Sequence, residues 1–276
     1  LVLGPTIREL MDAGYLCDYE IYAPPIGIDV STVKRKMGDF DSKELEAVVD
    51  KKSITGSAVG HYKTHASGKR CVVMCVSIKH AEHVAEQYQA AGVSSGVIEG
   101  TMTGQQRDKM LADFAAGRLM VICNVQLLVE GVDIPAIEVV QWLRPTQSLV
   151  VWMQGNGRGL RPADNKTGLI IFDHVGNCLR HGLPDDDREW SLEGKEKGKK
   201  KAAADEVKIK QCGSCYAVFR PGPQTCPHCG APVAGQQREL EVVDGELQKV
   251  DKLAIRKEQK REQGAARTLA ELVALG

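Results

Sequence analysis

The feature that most restricts this chain is a repeated switch between two hydrophobic periods. RCVVMCV (70–76), SSGVIEG (94–100), LMVICNV (119–125), AIEVVQWL (136–143) and TGLIIFD (167–173) are short apolar runs, several of them nearly unbroken. Between them lie KHAEHVAEQYQAAG (79–92), TGQQRDKMLADFAAG (103–117) and TQSLVVWMQG (146–155), whose apolar residues recur three or four apart. A strand that is apolar on both faces has no side to show water, so it belongs inside a sheet covered twice. Strands of that kind, alternating with helices, predict an α/β fold: a parallel sheet between two helical layers. Its functional loops should lie at the carboxyl ends of the strands. Thr103 is placed to cap its helix, and Gly92 and Gly117 to end theirs.

Ahead of the alternation, TIRELMDAGYL carries a short helical pattern, and YEIYAPP alternates until Pro24 and Pro25 stop it. DSKELEAVV (41–49) predicts a helix capped by Asp41 or Ser42, and another helix is expected over 57–65. After His181 the pattern dissolves into DDDREWSLEGKEKGKKKAAADE, charged and short of large apolar residues. The expected organisation is a linker and first-strand region at 1–30 and the α/β domain at 31–187. A charged linker at 188–207, a cysteine module at 208–233 and an extension at 234–276 with a helix over 251–275 follow.

At 276 residues and 43% hydrophobic composition, one sizeable core and a small satellite can be buried. Lys+Arg and Asp+Glu both total 36, which argues against a purely electrostatic binder of nucleic acid and leaves room for local basic strips. Residues 193–201, with five lysines against two glutamates, read first as a solvated tether. There is no run of about eighteen apolar residues and no signal-peptide pattern, so a cytoplasmic chain without a membrane partner is expected. Its start at Leu1 rather than Met suggests a piece of a longer protein.

The chemistry gathers in QGNGRGLRP (154–162), where Arg158 and Arg161 stand three apart among glycines. Two guanidiniums on a close-turning backbone suit a phosphate cluster, because each offers a planar fork of donors and keeps its charge. Such arginines stabilise charge on a phosphoanhydride under attack but need a phosphate-binding loop elsewhere. No GxxxxGK[ST] loop and no DEAD or DEAH tetrapeptide occurs in the sequence.

Gln154, Gly157, Arg158 and Arg161 fit Q-x-x-G-R-x-x-R, which resembles motif VI of superfamily 2 helicases. EGVDIP (130–135), with Gly131 and Asp133, resembles motif V, and CVVMCVSIKHAEHVAEQY (71–88) resembles motif IV. The resemblance covers about residues 10–182 and is strongest, through GRGLRP and DHVGNCLRHG, to bacterial and phage helicase-like proteins of the RadD type. It implies the second, RecA-like (P-loop NTPase-like) motor domain of an ATP-dependent DNA helicase. By family precedent Arg158 and Arg161 would contact the γ-phosphate and Gln154 would couple the cleft to the other domain. Gly131 and Asp133 would lie near the ribose, and Gly157 beside the nucleotide.

Contacts to the sugar-phosphate backbone of DNA would come from Ser77, Lys79, Thr101, Thr103 and Arg107. Asn124 stands near the place of a motif V threonine. ATP and Mg²⁺ would bind only in the full-length protein, with an N-terminal RecA-like domain as partner, inside a bacterial or phage-infected cell. Gly155 and Asn156 depart from the bulkier apolar residues usual in motif VI, which puts the aim of the arginines in question. Trp142 and Trp152 read as core, and His174 and His181 as packing.

CGSC (212–215) and CPHC (226–229) give C-x₂-C-x₁₀-C-x₂-C. Four thiolates from Cys212, Cys215, Cys226 and Cys229 favour one structural, tetrahedral Zn²⁺ in a small zinc-ribbon-like module with no open coordination position. His228, between two ligands, is expected to point elsewhere. Lys208, Lys210 and Arg220 give the module a mild basic bias, leaving open a DNA or protein contact. The competing reading of the whole chain is a zinc-bearing scaffold whose helicase-like domain has lost its activity.

Overall fold

In the computed structural model, successive residues of 71–75 point to opposite cores. Val72 and Met74 enter one hydrophobic cluster, and Cys71, Val73 and Cys75 the other. A strand buried on both faces is the physical meaning of the unbroken apolar run. The structure describes residues 4–23, 30, 33–36, 39–49, 52–125, 137–188 and 209–233. Compact unit Leu1–Gly235 holds all of them. The second unit, Gln236–Gly276, lies outside the described residues, as do the expected helix over 251–275 and most of the charged linker.

The chain opens with α1 (Ile7–Asp12), held by a reciprocal capping box between Thr6 and Glu9, and β1 (Tyr19–Tyr22). A short antiparallel pair follows, β2 (Arg35–Lys36) and β3 (Asp39–Phe40), then α2 (Ser42–Val49) and α3 (Lys52–His65). Asp41 caps α2 by accepting from the backbone N–H groups of Lys43 and Glu44. The alternation gives β4 (Cys71–Met74), α4 (Ile78–Ala90), β5 (Ser95–Ile98), α5 (Gly104–Ala115), β6 (Val121–Asn124) and β7 (Val139–Trp142). It ends with α6 (Leu149–Gly159), β8 (Leu169–Asp173) and α7 (Asn177–His181).

Thr103 does cap α5, with Gln106 completing its capping box, and Gly92 and Gly117 take left-handed φ values of 80° and 72° where α4 and α5 stop. Six strands pair in the order β1-β8-β7-β4-β6-β5, each described register between them parallel. Helices α3 and α4 pack one face through Tyr62, Val84 and Tyr88. The other face takes Phe114 of α5, Trp152 of α6 and Cys178 of α7. The result is the three-layer, RecA-like α/β sandwich.

Two features depart from the sequence reading. YEIY is a member of the main sheet, paired along β8, and forms one of its edges. The acidic run DDD does not simply open the charged linker, because Asp185 is 3% exposed. Its carboxylate accepts from Arg8 of α1, Tyr19 of β1 and, at 3.1 Å, Arg220 near the cysteine pairs. Asp186 receives Arg220 as well, at 2.9 Å. Arg220, counted in the basic bias of the module, is therefore taken up by an internal ion pair. A short β9 (Lys210–Gln211) and β10 (Val218–Phe219) complete the described elements. An antiparallel bridge between Tyr22 and Ala217, with the Ala23 N–H donating to the Tyr216 carbonyl at 3.3 Å, lays the cysteine module along the open edge of β1. Covering an edge strand removes a row of unpaired backbone groups.

Burial pushes the Asp185 carboxyl up, but hydrogen bonds from Tyr19, Arg220 and Arg8 outweigh it and hold it below the ordinary value of 3.8. A depressed carboxylate stabilises the fold above that value, and the contribution is lost as pH falls below it. Asp185→Ala should lower unfolding stability at pH 7 by about 2 kcal/mol, given charge-assisted bonds to partly exposed arginines. In urea titrations the deficit should shrink below pH 3.8; a deficit unchanged down to acid pH would remove the ion cluster as its cause.

Candidate nucleotide and nucleic-acid site

Residues 154–159 are helical. The glycine-rich segment read as a close turn continues α6 to Gly159, with Arg158 in its last turn and Arg161 just beyond. The glycines serve helix-to-sheet contact. A Cβ on Gly155 would lie 2.6 Å from Trp142 Cζ2, and one on Gly159 2.6 Å from Leu169 Cδ1. Asn156, fully buried, accepts a hydrogen bond from Trp142 Nε1 at 2.9 Å. Gly155 and Asn156 therefore seat a tryptophan that needs both room and an acceptor. The two departures questioned from sequence thus have a packing reason. Gly157 differs, since a Cβ there would meet nothing within 4 Å.

Lys166 closes the C-terminal end of this helix by donating from Nζ to the carbonyls of Gly159 and, at 2.8 Å, Arg161. A cation among the last carbonyls complements the helix dipole, and burial lowers the Lys166 pKa from its usual value. Sequence reasoning missed Lys166, whose only signal was a lysine shortly after the helix. Arg158 and Arg161 are half-buried and Gln154 is exposed.

The carboxyl ends of β4 and β5 gather most of the residues expected to meet nucleic acid. Ser77 caps α4 by accepting from the His80 N–H at 3.1 Å, and Lys79 is exposed in the first turn. Thr101 and Thr103 are exposed before α5, and Arg107 is half-buried on it, its buried Nε without an acceptor among the described residues. Asn124 is a correction. It is 0% exposed, and its amide donates to the Val73 carbonyl of β4 at 3.2 Å, so it ties two strands together instead of facing a phosphate. Gly131 and Asp133 lie outside the described residues.

In the cysteine module, the Sγ atoms of Cys212, Cys215, Cys226 and Cys229 all lie within 4.8 Å of one another. Cys212–Cys229 and Cys215–Cys226 are each 3.6 Å apart. Sulfurs at about 2.3 Å around a tetrahedral zinc would be about 3.8 Å apart, whereas a disulfide would hold them at about 2.0 Å. Backbone N–H groups of Cys215 and Ser214 hold the Cys212 thiol down to about 6, while burial pushes Cys215 up to about 12. His228 turns away from the sulfurs toward β1, its Nδ1 3.7 Å from Glu20.

Comparison with known proteins bears on the α/β domain. Residues 51–163 match the family described as the helicase conserved C-terminal domain, a span that runs through Arg158 and Arg161. Over that span the chain resembles the second, RecA-like domain of helicases. A 51.5 kDa protein of a Lactococcus phage is 32% identical over 253 residues, covering 91% of this chain and 55% of the phage protein. The Saccharomyces cerevisiae protein IRC3, named as a candidate ATP-dependent helicase, is 27% identical over 173 residues, 62% of this chain and 25% of its own. A subunit of the Escherichia coli type I restriction enzyme EcoKI endonuclease is 30% identical over 129 residues, 42% of this chain and 11% of its own. The chain thus spans from about half to a small fraction of the length of these relatives.

The glycines of α6 make the packing of the α/β domain testable. Alanine favours a helix over glycine by about 1 kcal/mol, so Gly157→Ala should raise the urea midpoint. Gly155→Ala drives a methyl into Trp142 and should cost a net 1–2 kcal/mol, roughly the overpacking penalty less the helix gain. Equal effects of the two substitutions would contradict the seating of Trp142.

Proposed function

We propose that this chain contributes the second motor domain of an ATP-dependent DNA helicase or translocase. Arg158 and Arg161 would reach the γ-phosphate of an ATP held, with Mg²⁺, on a P-loop domain of the longer protein. The observation that carries the reading is the match to the helicase C-terminal domain, which includes both arginines, on a helix whose position Trp142 fixes. Guanidiniums entering from across a cleft stabilise charge developing on the transferred phosphoryl oxygens without themselves exchanging protons. Gln154, exposed one turn earlier, would couple the cleft to the other domain, and a Cβ on Gly157 would meet nothing within 4 Å. Gly131 and Asp133 remain candidates for the ribose.

Ser77, Lys79, Thr101, Thr103 and Arg107 share the carboxyl edge of β4 and β5 and suit phosphates of a DNA strand, positioning it without reading bases. The best support for the scaffold alternative was the pair Gly155 and Asn156, and their packing against Trp142 gives these two departures a structural reason compatible with a working motor. The four cysteines fit one structural Zn²⁺, which completes the module covering β1.

Joined to its P-loop partner, the protein should lose DNA-stimulated ATP hydrolysis by about a hundredfold or more on Arg158→Ala or Arg161→Ala, toward the scale of arginine fingers, with DNA binding nearly intact. Lys79→Ala should instead weaken strand binding and reduce its salt slope by about one ion. Unchanged turnover after removal of both arginines would overturn the assignment.

Elemental analysis should find one zinc per chain, absent in Cys212→Ser and Cys229→Ser. Because the Ala23 N–H is bonded to the module, chelation should also speed hydrogen exchange at Ala23. Metal-free protein with the same Ala23 protection would exclude zinc as what holds the module on β1.

A further inference from the structure

The two cysteine knuckles are alike in backbone but differ in the residue that closes the turn. Gly230 follows the second pair at φ 71°, and its N–H donates to the Cys226 carbonyl at 2.9 Å. Tyr216 follows the first pair at φ 61°, and its N–H donates to the Cys212 carbonyl at 3.0 Å. A left-handed position suits glycine and strains an L-residue with a large side chain. Strain held by the surrounding structure is a pointer to function when the residue faces a site. Tyr216 does face one. It is 46% exposed and lines a cavity of about 520 Å³ at the seam between the knuckle and the sheet.

The geometry points to this cavity as a binding pocket for a flat nucleobase, with Tyr216 as one stacking face. It rests on the nucleic-acid role proposed above. Rings form most of the wall: Tyr22, His61, His65, Phe172 and His174 in addition to Tyr216. Tyr22 and His65 are stacked with centroids 5.4 Å apart, and His61 and His174 with centroids 5.2 Å apart. The Gln141 amide lies 2.9 Å from His174 Nε2 and fixes that ring. Burial pushes His174 down to about 3 and lowers His61, so both present neutral π faces.

Among the described residues no lysine or arginine lines the cavity, and Asp173 does, so a phosphate finds no cationic partner among them, while the cavity's size suits a small heterocycle. It opens at the carboxyl ends of β1 and β8, on the same edge of the sheet as Ser77. Two strand spacings, roughly 10 Å, separate β8 from β4. A strand whose phosphates lie along Ser77 and Lys79 can thus deliver a base to the pocket. Stacking on aromatic side chains is tolerant of sequence, so the pocket would add affinity for unpaired bases in general.

The test uses the full chain and two labelled single strands of equal length, oligothymidylate and an abasic deoxyribose-phosphate oligomer, with free adenosine as competitor. The wild type should prefer the base-bearing strand by about tenfold. Tyr216→Gly, which gives the first knuckle the residue of the second, should lose that preference. It should keep its affinity for the abasic strand and its zinc, and its unfolding midpoint should not fall, because glycine relieves the left-handed strain. His65→Ala, an exposed position, should reduce the preference without touching either knuckle.

Adenosine binding that is lost in Tyr216→Gly, with no preference between strands, assigns the pocket to a free nucleoside as source of the same ring. Salt-dependent binding of both strands with no preference and no adenosine binding overturns the pocket alone. A Tyr216→Gly protein with the wild-type preference overturns it equally. Failure to bind either strand or adenosine overturns both the pocket and the nucleic-acid reading beneath it.

Discussion

The approach of α6 to β7 and β8 governs the arrangement of the proposed site. Gly155 and Gly159 have no side chain to keep the helix away, so Trp142, Val140 and Leu169 meet its backbone. The Trp142 indole then finds its acceptor in Asn156 and its neighbour in Trp152, with ring centroids 5.1 Å apart. A helix seated by close packing and one buried hydrogen bond has little freedom to roll. Arg158 on its last turn and Arg161 just beyond it inherit that fixity, which the proposed role would require.

A second constraint acts at the far edge of the sheet. β1 would be an open edge, and three parts of the chain remote in sequence close it. α1 and β1 reach Asp185 through Arg8 and Tyr19, and the cysteine module reaches it through Arg220 while bridging Tyr22. The module has few apolar residues of its own: Cys212, Ala217, Phe219 and Cys226 form its small buried cluster. It therefore draws on the sheet edge as well as on its sulfurs. This makes the module a wall of the α/β domain, and the same contact creates the ring-lined cavity.

The sheet and the ends of its helices were legible because both are written locally. Apolar runs marked β4 to β8, and Thr103, Gly92 and Gly117 marked helix ends through capping and left-handed backbone. The cysteine spacing named its own cluster. The long-range partnerships were not legible. Asp185 in a run of three aspartates carries no mark of the arginines and tyrosine that bury it. Gly155 looks like a turn residue until the tryptophan opposite is known. Asn124 was placed at the right strand end, but only pairing with β4 turns its amide inward. Each miss concerns a side chain whose environment comes from residues distant in sequence.

The central claim is that α6 delivers two guanidiniums to a γ-phosphate. It is tested most directly by a structure of the chain joined to its P-loop domain, with single-stranded DNA, ADP and a planar metal-fluoride mimic of the transferred phosphoryl group. The account predicts the guanidiniums of Arg158 and Arg161 within about 3 Å of the fluorides, with the Trp142–Asn156 bond intact. Guanidiniums directed away from the mimic in a closed cleft, with α6 still seated on Trp142, would contradict it.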